Sequence, residues 1–185
     1  MLDVKRNLTT IMDFYELTMA AGYLEEGYED KISVFDMFFR KIPDGGGFAI
    51  MAGLDTFIDA VENLKFTPED IEYLRGTGVF NERFLDYLSH FELHCNIWAI
   101  PEGTPIFPRE PIVTVEGPSI ECQLLETLLL VTINHQCLVA TKANRIVRSA
   151  QGRPVMEFGA RRAQGYDAAV YGARAAYIKS ETKRC

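Results

Sequence analysis

MEFGARRAQGYDAAVYGARAAYI, residues Met156–Ile178, is the stretch of the sequence that decides the fold. The apolar run that leads into it, Pro154–Phe158, predicts a buried strand, and an alanine-rich helical pattern begins at about Tyr166. A strand followed by a loop that opens a helix is where α/β proteins usually place ligand chemistry. The stretch therefore predicts an α/β fold with a functional site at this junction.

Two adjacent arginines in the junction, Arg161 and Arg162, indicate a binding site for an anion. Guanidinium groups beside the free N–H groups of a helix start suit a carboxylate or a phosphate. The alternative is that both side chains are solvated or paired with carboxylates elsewhere, and the residues alone leave both interpretations open. Residues 145–185 carry nine Lys or Arg against three Asp or Glu, although the whole chain has a net charge of −7. A basic end on an acidic body suits a small anion better than nucleic acid.

The composition is that of an ordinary globular protein. Of its residues, 48% are hydrophobic and 24% charged. Its length of 185 residues is enough for one domain or two small ones. Its four cysteines form no CxxC motif and no signal peptide is evident, so we expect reduced thiols in a cytoplasmic protein. His90 and His94 lack a third ligand at a suitable spacing, so we expect no metal site. No apolar run is long enough to span a bilayer, so we expect no membrane partner.

Hydrophobic periodicity and turn residues predict the secondary structure along the chain. Helices are expected from about Asp13, over 53–64, over 68–75, over 81–91 and over 118–150, the last with a buried first half. A strand is expected over 31–40, followed by a flexible turn at 43–47. Short strands over 97–100, 105–107 and 112–115 are expected to form one small antiparallel sheet.

Five sequence motifs occur in an order that resembles the nicotinate phosphoribosyltransferase family. They are DFYELTM (13–19), FFRK (38–41), PEGT (101–104), QLLET (123–127) and EFGARRAQG (157–165). The resemblance runs from about Leu8 to Ile178. It implies an enzyme of NAD salvage that converts nicotinate and 5-phosphoribosyl 1-diphosphate to nicotinate mononucleotide and diphosphate, with coupled ATP hydrolysis.

The resemblance also implies the fold and its division into domains. Residues 1–118 would form an α+β N-terminal domain, and residues 119–178 the first part of an irregular α/β barrel, as in type II phosphoribosyltransferases. Residues 179–185 do not match the family. The family chain continues for about as much again, with the histidine that ATP phosphorylates and the loops for the ribose phosphate. We therefore expect this chain to be a fragment that is inactive alone.

Six site residues follow from the resemblance. Tyr15 and Phe158 would stack on the two faces of the pyridine ring, with Tyr15 supplied by the partner subunit of a homodimer. Arg161 would bind negative charge near the ring and the phosphate, and Asp13, Arg162 and Asp167 would lie in the same substrate site. Mg²⁺ and ATP are expected as cosubstrates, with no tightly bound cofactor. Two alternatives stay open: a nicotinamide- or quinolinate-type phosphoribosyltransferase, and a non-catalytic binding fragment.

Overall fold

The computed structural model describes residues 7–178, so the predicted non-family tail over 179–185 lies outside the described residues. Helices and strands are mixed along the chain, as predicted. The helices are α1 (Phe14–Glu25), α2 (Leu54–Val61), α3 (Pro68–Gly76), α4 (Glu82–Ser89), α5 (Ser119–Gln123), α6 (Glu126–Ser149) and α7 (Tyr166–Tyr177). The strands are β1 (Ile32–Met37), β2 (Ala49–Ile50), β3 (Asn96–Ala99), β4 (Pro105–Ile106) and β5 (Val113–Pro118), and short 3₁₀ turns cover Pro43–Gly45 and Ala160–Arg162.

The predicted helices are confirmed where the sequence carries its own end signals. Thr67 caps α3 by accepting a hydrogen bond from the N–H of Asp70, whose carboxylate in turn accepts from the Thr67 N–H. Asn81 caps α4, because its side-chain oxygen accepts a hydrogen bond from the Phe84 N–H at 2.9 Å. Such caps satisfy N–H groups that have no partner inside the helix, so they fix a helix start from local sequence alone.

The chain divides into two compact units. Among the described residues, the first comprises 7–35, 58–97 and 114–129, and the second 36–57, 98–113 and 130–178. These units are sets of residues in mutual contact, and the domain boundary predicted at residue 118 stays a prediction.

The first unit has a core made by four helices. Its buried side chains come from α1, α3, α4 and α5 and include Leu17, Leu24, Ile71, Leu74, Phe84, Leu85, Leu88 and Ile120. Aromatic rings pack in the cluster. The ring centroids of Phe80 and Phe84 lie 5.3 Å apart, and those of Phe66 and Phe91 lie 5.7 Å apart in an edge-to-face arrangement. Burial of these side chains contributes about 1.5–3 kcal/mol each before the entropy of ordering is subtracted.

The second unit has a core of small side chains. Ile50 and Ala52 pack with Ala140 of α6 and Ala175 of α7, all four buried. The polar side chains of α6 hold the same segment, because the Thr141 hydroxyl accepts from the Ile50 N–H at 2.9 Å. Strand β2 pairs antiparallel with β4, Ala49 opposite Ile106.

The prediction of one small antiparallel sheet from β3, β4 and β5 is wrong. Strands β3 and β5 belong to a three-stranded sheet with the order β1-β5-β3, whereas β4 pairs with β2. Pairing partners lie far apart in the sequence, and short strands carry little information about which partner they take. Strand β2 itself has two residues and was not predicted.

The predicted helix over 118–150 is interrupted. Helix α5 ends at Gln123 and α6 begins at Glu126, with turn residues between them. The buried first half is confirmed by Ile120, Leu125 and Leu128, which are at most 2% exposed. By length and composition the tract Ser119–Ser149 could cross a membrane, and half of its apolar 18-residue segment is buried in the protein.

The predicted buried strand over 154–158 is also wrong. Only Met156 forms an isolated bridge, and Met156 and Phe158 are more than half exposed. An apolar run becomes a buried strand only where neighbouring strands pair with it and other elements cover its faces. Within residues 7–178 neither sheet includes this segment.

Candidate functional site

The loop Gly159–Gly165 places the two predicted arginines on a tight turn. Arg161 and Arg162 lie in the 3₁₀ turn, which the Arg162 N–H closes by donating to the Gly159 carbonyl at 2.9 Å. Gly165 then precedes α7 with φ of +95°, a backbone conformation in which a residue with a side chain would be strained. Both arginines are exposed, and neither guanidinium has a hydrogen bond or ion pair within residues 7–178. The loop therefore offers two cations that the described protein does not neutralise.

An aromatic ring and a carboxylate flank this loop. Phe158 is 54% exposed, so a large apolar face is open to a ligand. The preceding Glu157 turns back, and its carboxylate accepts a hydrogen bond from the Gly159 N–H. The Glu157 carboxylate is thus engaged with the loop backbone, while Phe158 and Arg161 are left for contacts outside the described chain.

A cavity of about 270 Å³ lies beside the loop, entirely within the second unit. Arg162 and Gln164 line it from the loop, and His135 lines it from α6. Glu157 and, from α6, Val139 also line it, and the rest of its wall is made of small residues of the loop and of α7, the latter being Ala168, Ala169, Gly172 and Ala173. These four recur at helical spacing, which leaves one side of α7 without bulk. The arrangement can hold a small ligand against polar groups at one end and an apolar wall at the other.

Sequence reasoning did not identify His135 or Gln164. The Nε2 atom of His135 is buried and has no hydrogen-bond partner in the described part of the chain. A buried polar atom without a partner is costly, so it marks a place where a ligand group or water would be stabilised. The run of small residues in α7 was visible in the sequence, but what faces it depends on how α6 packs.

Helix α7 is held in place by Arg174. Its guanidinium donates to both carboxylate oxygens of Glu102, at 2.9 and 2.7 Å, and to Asp55 at 2.7 Å. It also donates to the side-chain oxygen of Gln136 at 3.1 Å. This fork fixes the helix that forms the cavity wall. Arg174 is therefore a structural residue, and Glu102 of the PEGT motif gains a structural role as well.

Glu102 joins α7 to the start of α2. One of its carboxylate oxygens also accepts from the N–H groups of Gly53 and Leu54, at 2.6 and 2.8 Å. Burial by itself would raise the pKa of Glu102, but the hydrogen bonds and charge of Arg174 outweigh it, so the pKa lies below its usual value. Glu102 is thus ionised and fully bonded in the fold.

Tyr15 and Asp13 lie at the start of α1, in the first unit. Asp13 is the N-cap residue and is exposed, and Tyr15 is 44% exposed. A hydrogen bond from the Tyr15 hydroxyl to the Glu126 carboxylate, helped by desolvation, raises the pKa of Tyr15 to about 12. The hydroxyl is therefore neutral and interacts with Glu126 of α6.

Glu16 anchors the same helix start from inside. It is fully buried, accepts a hydrogen bond from the Thr127 hydroxyl, and accepts from the Asp13 N–H at 3.3 Å. Burial raises the pKa of Glu16, while these hydrogen bonds act in the opposite direction. Two of the five sequence motifs thus meet here, because Glu16 lies in DFYELTM and Thr127 in QLLET.

The six predicted site residues fall into two groups. Asp13 and Tyr15 belong to the first unit, and Phe158, Arg161, Arg162 and Asp167 to the second, with Asp167 in the first turn of α7. The stacking and charge-binding roles given to them stay predictions. His90 and His94 make separate contacts, His94 with Glu121 at 3.2 Å, and no group of three metal-ligating side chains occurs among residues 7–178.

Comparisons with known proteins give a consistent result. Residues 10–134 match the family model of the nicotinate phosphoribosyltransferase N-terminal domain. A nicotinate phosphoribosyltransferase of Mycobacterium tuberculosis is 46% identical over 166 residues, which are 90% of this chain and 36% of that protein. The Bacillus subtilis enzyme of the same name is 41% identical over 172 residues, 93% of this chain and 35% of the relative.

Solved structures agree with the sequence relatives. Human nicotinic acid phosphoribosyltransferase matches with a TM-score of 0.82 and 34% identity, over 90% of this chain and 34% of the human one. A nicotinate-nucleotide pyrophosphorylase of Pyrococcus furiosus has a TM-score of 0.68 at 24% identity, over 92% of this chain and 36% of that one, which indicates a shared fold. The predicted α/β class and its likeness to type II phosphoribosyltransferases are confirmed. The chain spans about a third of the length of the curated relatives it matches.

Proposed function

The chain belongs to the nicotinate phosphoribosyltransferase family, and we propose that it supplies the pyridine-binding part of a nicotinate phosphoribosyltransferase of NAD salvage. The reaction forms a bond between the pyridine nitrogen of nicotinate and C1 of the ribose, while the bond from C1 to the diphosphate oxygen breaks. The products are nicotinate mononucleotide and diphosphate. One observation carries the proposal: the loop after Phe158 presents an open aromatic face and two unneutralised guanidinium groups within five residues.

The residues present suit a flat, negatively charged heterocycle. Phe158 stacks on the ring, and a planar side chain of this kind contributes about 1 kcal/mol beyond the area it buries. Arg161 binds the carboxylate through a pair of parallel N–H donors, a geometry that lysine cannot reproduce. Nicotinate is thereby favoured over its uncharged amide, and the nitrogen is positioned for attack on the ribose.

The second substrate and the partner subunit extend the same proposal. Arg162 lies in the wall of the adjacent cavity and stabilises the phosphate groups of 5-phosphoribosyl 1-diphosphate. Mg²⁺ enters bound to the diphosphate or to ATP. ATP hydrolysis is coupled to turnover of the longer enzyme. Tyr15 is delivered by the second subunit of a cytoplasmic homodimer, and this chain alone binds ligand without turning it over.

Substitution of Arg161 tests the proposal most specifically. Arg161→Gln removes the charge-assisted hydrogen bonds, so the dissociation constant for nicotinate rises roughly tenfold to a hundredfold, the equivalent of about 1.5–3 kcal/mol. Arg161→Lys keeps the charge without the fork and should fall between wild type and Arg161→Gln. Isothermal titration calorimetry measures all three.

The matched control is Arg148→Gln, which removes the same charge from an exposed arginine near the end of α6. Its affinity for nicotinate should equal that of wild type. If Arg161→Gln binds nicotinate as tightly as Arg148→Gln does, Arg161 does not bind the carboxylate and the assignment of this loop is wrong.

A further inference from the structure

Two thiols in the first unit lie in direct contact. The sulfur atoms of Cys95, just before β3, and Cys122, in α5, are 3.5 Å apart. Neither is part of the proposed substrate site. In a disulfide the sulfurs are about 2 Å apart, so closure needs a movement of about 1.5 Å, within the reach of side-chain rotation.

The backbone around Cys95 is shaped to bring the two thiols together. A Cβ atom placed on Gly117 of β5 would lie 2.6 Å from the Cys95 sulfur and 2.9 Å from the Cys95 Cα. Glycine at this position therefore allows Cys95 to sit against β5 and face α5. Cys122 is fixed from the other side, since its thiol contacts the Ser33 carbonyl at 3.8 Å.

The two thiols differ in access and in acidity. Cys95 is partly exposed, whereas Cys122 is only 4% exposed. A hydrogen bond in which either sulfur can donate joins the two thiols, and it lowers the pKa of Cys122. The same hydrogen bond, together with burial and the Glu121 carboxylate, raises the pKa of Cys95. Cys95 is thus the sulfur that a reagent can reach, and Cys122 is the buried sulfur beside it.

We propose that Cys95 and Cys122 form a reversible disulfide by exchange with low-molecular-weight disulfides such as glutathione disulfide. Cys95 loses its proton to solvent and attacks one sulfur of glutathione disulfide, and one glutathione thiolate leaves. The Cys122 thiolate then attacks the Cys95 sulfur and expels the second glutathione. Both protein thiols are oxidised, and one glutathione disulfide is reduced to two molecules of glutathione. The bridge fixes α5, the helix against which α1 packs.

Peptide mapping by mass spectrometry after incubation with glutathione disulfide tests the proposal. All chains carry Cys185→Ser, because Cys185 lies outside the described residues. We expect the parent chain to give a Cys95–Cys122 disulfide and Cys122→Ser to give a Cys95–glutathione adduct. This adduct should be at least about tenfold more abundant in Cys122→Ser than in the parent, because an intramolecular thiol attacks at millimolar or higher effective concentration.

Two controls set the background. Cys95→Ser should leave Cys122 unmodified, because Cys122 is buried, and Cys137 should stay reduced in every chain, because it is buried in the second unit. The far-UV circular dichroism of each variant should match that of the parent. A folded parent that accumulates the glutathione adduct to the same level as Cys122→Ser, or that forms no Cys95–Cys122 peptide, would overturn the proposal.

Discussion

At the scale of single residues, the most informative side chain is one that binds no substrate. Glu16 is completely buried, and its second carboxylate oxygen has no hydrogen-bond partner within the described residues. An ionised carboxylate in that position is only partly compensated by Thr127 and the Asp13 N–H. Glu16 therefore links the stability of the first unit to pH.

We predict that Glu16 makes the folded state less stable as the pH rises. Its folded pKa lies above the ordinary value of 4.5, so folding favours the protonated form. The stabilisation is complete below pH 4.5 and is lost as the pH rises through the folded pKa. Glu16→Gln keeps a hydrogen-bonding side chain that does not ionise. Its free energy of unfolding, from urea denaturation, should therefore fall less than that of wild type between pH 4.5 and neutrality.

Glu26→Gln is the control for this prediction. Glu26 is exposed at the end of the same helix, so the substitution changes the same charge without touching the core. The pH dependence of this control should follow wild type. If the free energy of unfolding of Glu16→Gln changes with pH as that of wild type does, folding does not raise the pKa of Glu16, and the explanation is wrong.

At the scale of elements, Arg174 adds a hydrogen-bonded link to the apolar packing of helix α7. Arg174 and Glu102 are 25% and 15% exposed, and their fork ties α7 to the start of α2. We predict that Arg174→Met lowers the free energy of unfolding by about 2–3 kcal/mol, because it leaves the Glu102 carboxylate largely buried without its cation. Chemical denaturation at neutral pH measures the loss.

Arg75→Met is the matched comparison. Arg75 also contacts two carboxylates, Glu72 and Glu82, but on the exposed surface of α3. Exposed pairs of this kind contribute little, so the control should lose much less stability than Arg174→Met. Equal losses in the two variants would show that the Arg174 network does not hold α7.

The elements also show how far the sequence could be interpreted. Helices α3 and α4 could be predicted because Thr67, Pro68 and Asn81 signal their starts locally. The sheets could not, since β1 pairs with β5 from a distant part of the chain. Pro154–Phe158 was mistaken for a buried strand because an apolar run does not reveal whether neighbours will cover it.

The candidate site divides in the same way. Phe158, Arg161 and Arg162 could be selected as candidates because they are close together in the sequence and match a family motif, and their roles stay predictions. The Glu102–Arg174 network could not, because it joins residues 72 positions apart. The cavity wall at His135 depends on the packing of α6, which no local pattern specifies.

At the scale of the whole molecule, the chain is a member of an enzyme family. It spans about a third of the length of its relatives. The part it covers contains an aromatic and arginine-rich loop, a cavity and a braced helix, all within one compact unit. We propose that these features bind a ligand. Membership of the family and the open loop together make recognition of nicotinate the central claim.

Competition binding on the wild-type chain tests that claim most directly. Bound nicotinate is displaced by unlabelled nicotinate, by nicotinamide and by quinolinate in parallel titrations. We predict that nicotinamide competes at least about tenfold more weakly than nicotinate, because the amide cannot accept the charge-assisted pair of hydrogen bonds from Arg161. Nicotinamide or quinolinate competing as well as nicotinate or better, or no binding of nicotinate at all, would contradict the account.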